Sequence, residues 1–77
     1  MDIDEEKIDQ AVLALLYLTL HDGGRACKGR DWDAMDRLHQ KGMIENPRSR
    51  TKSVWLTEDG LAESERLFNT LFGKPET

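Results

Sequence analysis

The chain has 77 residues, a formal net charge of −4, ordinary apolar content and one cysteine. This length allows one domain, residues 1–77, near the lower size limit for folding without disulfides or metals. No apolar run approaches the roughly 20 residues that a membrane span needs, and the acidic N-terminus does not resemble a signal peptide. The lone Cys27 cannot form an internal disulfide, which favours the cytoplasm. Without CxxC or HxxxH spacing, a structural zinc site is not expected.

The charges are distributed unevenly along the chain. Residues 1–24 carry −5, residues 25–54 carry +4 and residues 55–77 carry −3. A basic middle on an acidic frame is compatible with an anionic partner. It is equally compatible with self-association, in which the ends of one subunit meet the middle of another. Composition alone does not separate these two interpretations.

The first predicted helix runs from about Glu5 to His21. Asp2 or Asp4 is a suitable N-cap, and carboxylates in the first turn complement the helix dipole. The second half, AVLALLYLTL, is apolar nearly all round, so this helix needs cover on more than one side. Either the other elements wrap it as a central core helix, or its spare face packs on a second copy of the chain. We favour the second copy.

A glycine-rich exit follows the first helix. Paired glycines within residues 21–24 supply the positive φ that helix exits use. The next four residues, 25–28, are too few for a helix and could form a brief strand. Residues 29–30 then lead to the second helix.

The second helix is predicted from an Asp31 N-cap to about Lys41, with Gly42 as its C′ residue. Its buried positions are expected to be Trp32, Met35 and Leu38. The remaining polar side chains are expected to point outward: Asp33, Arg37, Gln40 and Lys41.

A β-hairpin is predicted between the second and third helices. Residues 43–45 begin a strand, residues 46–49 supply turn chemistry and residues 52–56 return with alternating polarity. This alternation points Val54 and Leu56 into the core and leaves Trp55 outside. An indole there needs cover from another subunit or neighbouring element, from a half-buried local contact, or from a stacked base. We favour packing on a subunit or neighbour.

The third helix is predicted to begin after Thr57, which acts as its N-cap. Gly73 and Pro75 end it, and the tails at residues 1–4 and 74–77 are expected to fray. The predicted buried stripe consists of Leu61, Leu67, Phe68, Leu71 and Phe72.

The runs MDRLHQKGMI and SVWLTEDGLAESERLF resemble the recognition helix, wing and following helix of winged-helix DNA-binding domains. The match covers about half the chain. The whole chain, with its GGRACKGRDWDAMDRL segment, is also similar to a small bacterial family known only as a domain of unknown function, which implies a fold and a cytoplasmic location but no activity. The winged-helix resemblance is carried by Leu38, Lys41, Gly42, Ile44, Leu56, Thr57 and Gly60.

One departure from the winged-helix pattern shapes the predicted fold. A full winged helix has a complete helix before the recognition helix, and residues 21–30 leave room only for a turn or short strand. We therefore predict a mostly helical α+β domain of reduced winged-helix type. It has three helices, a hairpin wing between the second and third, and a possible third strand near residues 25–27.

Two functions stay open. The first is a non-catalytic homodimeric interaction module; the second is a DNA-binding regulator that uses the 31–41 helix and the 47–52 wing. Asp33 and Asp36 in the first turns of that helix oppose DNA binding, and a basic hairpin can also simply keep an edge strand soluble. The candidate contacts with nucleic acid or a partner are Arg37, Gln40, Lys41, Arg48, Arg50, Lys52 and Trp55. The candidate dimer contacts are Leu13, Leu16, Tyr17, Leu20, Phe68 and Phe72.

An enzyme is not expected, since no motif sets a nucleophile beside a base and no phosphate-binding loop is present. No cofactor, metal, small-molecule substrate or membrane partner is predicted. A redox role for Cys27, which is flanked by the cations Arg25 and Lys28, is a less favoured alternative.

Overall fold

The computed structural model describes residues 2–27, 32–48 and 52–75. These residues form three helices and a two-stranded antiparallel sheet, the mostly helical α+β architecture that the sequence predicts. No helix within the described ranges is long and apolar enough to cross a membrane. The elements in chain order are α1 (Glu5–Leu16), a 3₁₀ turn (Tyr17–Thr19), β1 (Arg25–Cys27), α2 (Trp32–Gln40), β2 (Ser53–Trp55) and α3 (Glu58–Phe72).

Helix α1 begins where the capping signal places it and ends earlier than predicted. The Asp4 side chain is the N-cap and accepts a hydrogen bond from the Lys7 N–H, with 3.3 Å between N and Oδ1. The α-helical hydrogen bonding ends at Leu16 and the chain tightens into the 3₁₀ turn. The predicted exit lies at the expected place, but of its two glycines only Gly23 has a positive φ, 82°, and the second positive φ, 50°, belongs to Asp22.

The predicted third strand is confirmed as β1. It pairs with β2 in an antiparallel register that sets Ala26 opposite Val54. Both of these side chains are buried, whereas Cys27 and Trp55 are exposed, so one face of the sheet meets the core and the other faces outward. The outer edge of β1 is closed by its own chain, because the Cys27 N–H donates to the Thr19 hydroxyl at 3.1 Å.

The wing is shorter than the predicted hairpin. Its first strand is reduced to one bridge between Ile44 and Leu56 and a hydrogen bond from the Glu45 N–H to the Trp55 carbonyl, 2.8 Å long. This segment lies on the opposite edge of β2 from β1, so a wing-like pairing between α2 and α3 is present. Residues 47 and 48 of the turn predicted at residues 46–49 do form a turn, in which the Arg48 N–H donates to Asn46 Oδ1 at 3.0 Å, and residue 49 lies outside the described residues.

A polar junction joins the end of α2 to the start of α3. Gly42 has φ 76°, as the C′ prediction requires. Thr57 caps α3: its Oγ1 accepts from the Gly60 N–H at 3.0 Å and donates to the Gly42 carbonyl at 2.6 Å. Its own N–H donates to the Met43 carbonyl at 3.0 Å. A Cβ on Gly60 would overlap that same Met43 oxygen, so this helical position needs glycine for close backbone approach.

One hydrophobic core runs through all the elements and contains α1 at its centre. Leu13 and Leu16 are only 2% and 0% exposed inside the single chain. Their assignment to a dimer interface is therefore wrong, because this chain's own side chains already cover them. The buried apolar residues are Val12, Leu13, Ala14, Leu16, Ala26, Ala34, Met35, Leu38, Ile44, Val54, Leu56 and Leu67.

Trp32 is 48% exposed, and its predicted place in the core is wrong. The buried stripe of α2 consists of Ala34, Met35 and Leu38. At 3.6 residues per turn, Trp32 lies roughly a third of a turn from the centre of that stripe. The predicted N-cap of this helix, Asp31, lies outside the described residues.

The buried stripe of α3 ends before the helix does. Leu67 is buried and Leu61 and Phe68 pack against the core, but Leu71 and Phe72 are each 49% exposed. The prediction that these last two side chains are buried is wrong. Because α1 gives way to the 3₁₀ turn beside Phe68, the last turn of α3 extends beyond its main packing partner.

Gly60→Ala tests the close approach at the α2–α3 junction. Helix propensity alone predicts a small gain in stability from this change. Overlap with the Met43 carbonyl instead predicts a loss of about 2 kcal/mol in the free energy of unfolding, measured by urea denaturation. Asn69→Ala, at an exposed position of the same helix, is the matched control and is expected to stabilise slightly. A gain in stability for both variants would contradict the junction geometry.

Candidate interaction site

Asp9 is a buried carboxylate between α1 and α2. It is only 2% exposed, and an unpaired charge at that depth would cost several kcal/mol. In the sequence it is one of six acidic residues within residues 1–24 and is not among the predicted site residues. A signal was present, because Asp9 precedes Val12, Leu13 and Leu16 by three, four and seven residues and so shares their face of the helix.

Arg37 is the first partner of this carboxylate. Its Nε lies 2.9 Å from each Asp9 oxygen, and its Nη2 lies 2.8 Å from Oδ1. Its Nη1 also donates to Glu5 Oε2 at 3.1 Å. The side chain is 24% exposed, so the expectation that it points outward is wrong: the guanidinium lies against α1. Multidentate pairing with a planar guanidinium is among the strongest contacts that a carboxylate makes.

Lys41 is the second partner, one helical turn after Arg37 on the same face of α2. Its Nζ lies 2.8 Å from Asp9 Oδ2 and 3.4 Å from Glu6 Oε1. The side chain is 37% exposed and is therefore outward only in part. We call Glu5, Glu6, Asp9, Arg37 and Lys41 the ionic cluster.

The contacts within the ionic cluster shift the pKa values of Asp9 and Lys41. Burial raises the pKa of the Asp9 carboxyl, but hydrogen bonds from Arg37 and Lys41 and the charges of both outweigh it, so the net pKa lies below the ordinary value of 3.8. The hydrogen bond to Asp9 raises the pKa of Lys41 above 10.5, against the opposing effect of burial. Both shifts favour the charged pair.

The cation of the wing is also paired within the chain. Arg48 Nη2 lies 2.7 Å from Asp36 Oδ2, and the guanidinium carbon lies 5.4 Å from the centre of the Trp32 ring. Three of the predicted contact residues thus already pair with carboxylates of the same chain: Arg37, Lys41 and Arg48. Gln40 and Lys52 are exposed. The remaining candidate, Arg50, lies outside the described residues.

Trp55 faces outward from the sheet, as the alternation of β2 predicts, and is 47% exposed. The Arg25 guanidinium carbon lies 5.0 Å from the ring centre, within the range of a cation–π contact. The ring also packs against the backbone at Gly24. Neighbouring elements therefore give this indole part of its cover, and about half of its surface remains open to solvent.

Three aromatic side chains form a continuous row along α3 and the end of α1. The ring centroids of Tyr17 and Phe68 are 5.1 Å apart, and those of Phe68 and Phe72 are 5.4 Å apart. We call Tyr17, Phe68 and Phe72 the aromatic row. Next to it in the chain, Leu18 is 60% exposed and Leu71 is 49% exposed. Phe72, Leu18 and Leu71 therefore contribute exposed apolar side chains at the row or next to it in the chain.

Asp9→Asn tests the ionic cluster. The substitution keeps the shape of the side chain but leaves Arg37 and Lys41 without their shared buried anion, so we expect a loss of about 3 kcal/mol in the free energy of unfolding. Asp36→Asn is the matched control, because it breaks the more exposed pair with Arg48 and should cost less than about 1 kcal/mol. Urea denaturation at pH 7 measures both. Equal losses would contradict a special role for Asp9.

The lowered pKa of Asp9 also predicts how stability depends on pH. Because the folded-state pKa lies below the unfolded value near 3.8, the contribution of Asp9 is present above about pH 4 and is lost as the pH falls through the folded-state pKa. The stability difference between wild type and Asp9→Asn should therefore be constant from pH 7 to about pH 5 and shrink in more acidic buffer. A difference that grows on acidification would contradict the direction of the shift.

Comparison with known proteins extends over nearly the whole chain. An uncharacterized protein, y4hR, of Sinorhizobium fredii (strain NBRC 101917 / NGR234) is 57% identical over 72 residues, which cover 94% of this chain and 97% of that protein. No solved structure matches significantly. Residues 4–74 match the model of a family described as a domain of unknown function (DUF6429), and the chain belongs to that family.

Proposed function

We propose that the protein is a non-catalytic interaction module that forms a homodimer through the aromatic row and the exposed leucines beside it. The observation that carries the proposal is the half-exposed Phe72 at the end of a stacked aromatic row, with Leu18 and Leu71 exposed next to the row in the chain. Aromatic side chains contribute much of the binding energy at protein interfaces. Large exposed apolar surfaces on small domains are unusual unless something covers them.

The interface in this proposal differs from the set of residues that the sequence suggested. Leu13 and Leu16 are replaced by Leu18 and Leu71, which have surface to bury. Leu20 is partly buried, as are Tyr17 and Phe68 of the aromatic row, so these three side chains would form the inner part of the contact. Phe72 would insert most deeply into a partner.

A reduced winged-helix scaffold is part of the proposal. Supporting it are the strand β1 beside the wing, the Thr57 cap after the wing and the absence of an α-helix among the described residues between α1 and β1, where the chain forms only the short 3₁₀ turn. No relative or solved structure adds to this assignment, which rests on the resemblance and on the order of the elements.

The alternative, a DNA-binding regulator, has weaker support. A basic wing and the helix before it are present in the expected order. However, Arg37, Lys41 and Arg48 are all paired with carboxylates of the same chain. Phosphates would have to compete with these existing ion pairs, which lowers the gain from binding.

The proposal includes no catalytic step. His21 Nδ1 lies 2.8 Å from the Thr19 carbonyl and His39 Nδ1 lies 3.1 Å from the Ile44 carbonyl. A carbonyl oxygen only accepts hydrogen bonds, so each Nδ1 carries a proton and donates it. Both imidazole rings are therefore engaged in hydrogen bonds to the backbone. The unpaired Cys27 supports a reducing compartment such as the cytoplasm.

Phe72→Ser tests the dimer. The substitution removes the exposed end of the aromatic row, and loss of an interface aromatic worth about 2 kcal/mol would raise the dimer Kd about 30-fold. Trp32→Ser is the matched control, since Trp32 is 48% exposed against 49% for Phe72 but lies on α2. Sedimentation velocity across a concentration series measures both variants. Wild type that stays monomeric at high micromolar concentration, or equal effects of the two changes, would contradict the proposal.

A further inference from the structure

Glu5 and Glu6 determine the sign of the charge on the ionic cluster. Arg37, Lys41 and the buried Asp9 together carry +1, and adding the two glutamates makes the cluster −1. The glutamate side chains are 69% and 74% exposed, whereas Asp9 is 2% exposed. The buried carboxylate therefore holds the cations in place, and the two exposed carboxylates cover the surface that a partner would meet.

We propose that Glu5 and Glu6 mask a polyanion-binding face of α2, formed by Arg37 and Lys41, and that duplex nucleic acid competes with them for it. The two cations lie one turn apart on the same side of the helix, with Gln40 exposed beside them. This inference is independent of the proposed dimer, since the aromatic row shares no residue with the ionic cluster.

The geometry of Glu5 and Glu6 allows a competing anion to displace their side chains from Arg37 and Lys41. Each makes one contact with the cluster, of 3.1 Å from Glu5 and 3.4 Å from Glu6, and both lie in the first turn of α1. Residues 4 to 7 of that turn are all exposed, and its cap is the long 3.3 Å bond from the Lys7 N–H to Asp4. First turns of this kind open at little free-energy cost compared with the core of a helix.

The chemistry favours nucleic acid over an acidic peptide as the competitor. A peptide carboxylate would replace Glu5 or Glu6 with the same functional group and gain little by the exchange. A phosphate backbone releases condensed counterions when cations neutralise it, and this release adds a favourable entropy that carboxylates of the same chain cannot supply. Binding of duplex nucleic acid should consequently be weak in the wild type. Once Glu5 and Glu6 no longer cover the cations, this binding should depend strongly on salt concentration.

The test is a titration of random-sequence duplex DNA by fluorescence anisotropy over a range of salt concentrations. Glu5→Gln/Glu6→Gln should bind about tenfold more tightly than wild type at low salt. Its log Kd against log salt slope should be steeper by about 2, the value for two added phosphate contacts. Glu58→Gln/Glu65→Gln makes the same change in net charge on α3 and should leave the slope as in wild type. Circular dichroism confirms that each variant is folded.

A third variant tests whether the increase in DNA binding comes from the ionic cluster. Adding Lys41→Gln to Glu5→Gln/Glu6→Gln should remove about half of the increase in slope, because one of the two cations that Glu5 and Glu6 cover is lost. The proposal is overturned if the Glu5/Glu6 variant binds DNA no better than wild type. It is equally overturned if the α3 control gains as much, which would mean a general effect of net charge, or if removing Lys41 leaves the gain intact.

Discussion

The buried carboxylate of Asp9 constrains how α1 and α2 can meet. Because Asp9 is charged and almost fully enclosed, Arg37 and Lys41 must both reach it. The two cations are four residues apart, so α2 has to present one particular face and one particular register to α1. Sliding or rotating α2 by a fraction of a turn would leave a buried charge unpaired, whereas an apolar contact would tolerate the same shift. The ion pair thus contributes specificity to a contact between two short helices.

The position of α2 in turn fixes the wing and α3. Gly42 follows α2 in the left-handed region, and the carbonyls of Gly42 and Met43 accept the hydrogen bonds of Thr57. Since Gly60 packs directly against the Met43 backbone, α3 starts at a fixed distance from the end of α2. A chain of 77 residues has only a small core, and backbone junctions of this kind supply rigidity that apolar burial alone would not.

The features that could be predicted from sequence are those set by local chemistry. Asp4, Thr57 and Gly42 are recognisable because caps and helix ends depend on a few adjacent residues. The alternation around Val54 likewise identifies which side of β2 is buried.

The errors arise where tertiary contacts decide the outcome. Arg37 was placed outward because cations usually are, and only the presence of Asp9 opposite it reverses that expectation. Trp32 and Leu71 are predicted to be buried because they fall at helical spacing with the apolar residues of their helices, and periodicity does not reveal how far a neighbouring helix extends. For the aromatic row, the sequence supplies the residues but not the register that stacks Tyr17 on Phe68.

The charge asymmetry of the sequence has an explanation within a single subunit. The acidic N-terminal segment and the basic middle meet at the ionic cluster, and Asp36 neutralises Arg48 in the wing. Among the described residues, the acidic N-terminal segment and the basic middle thus pair inside one subunit, and unbalanced charge is not their most prominent feature. The surface that remains exposed near the end of α3 is apolar, and burying it against a complementary apolar surface is favourable. A partner of the folded chain should consequently be selected first by shape and hydrophobicity, with charge acting only where the first turn of α1 is displaced.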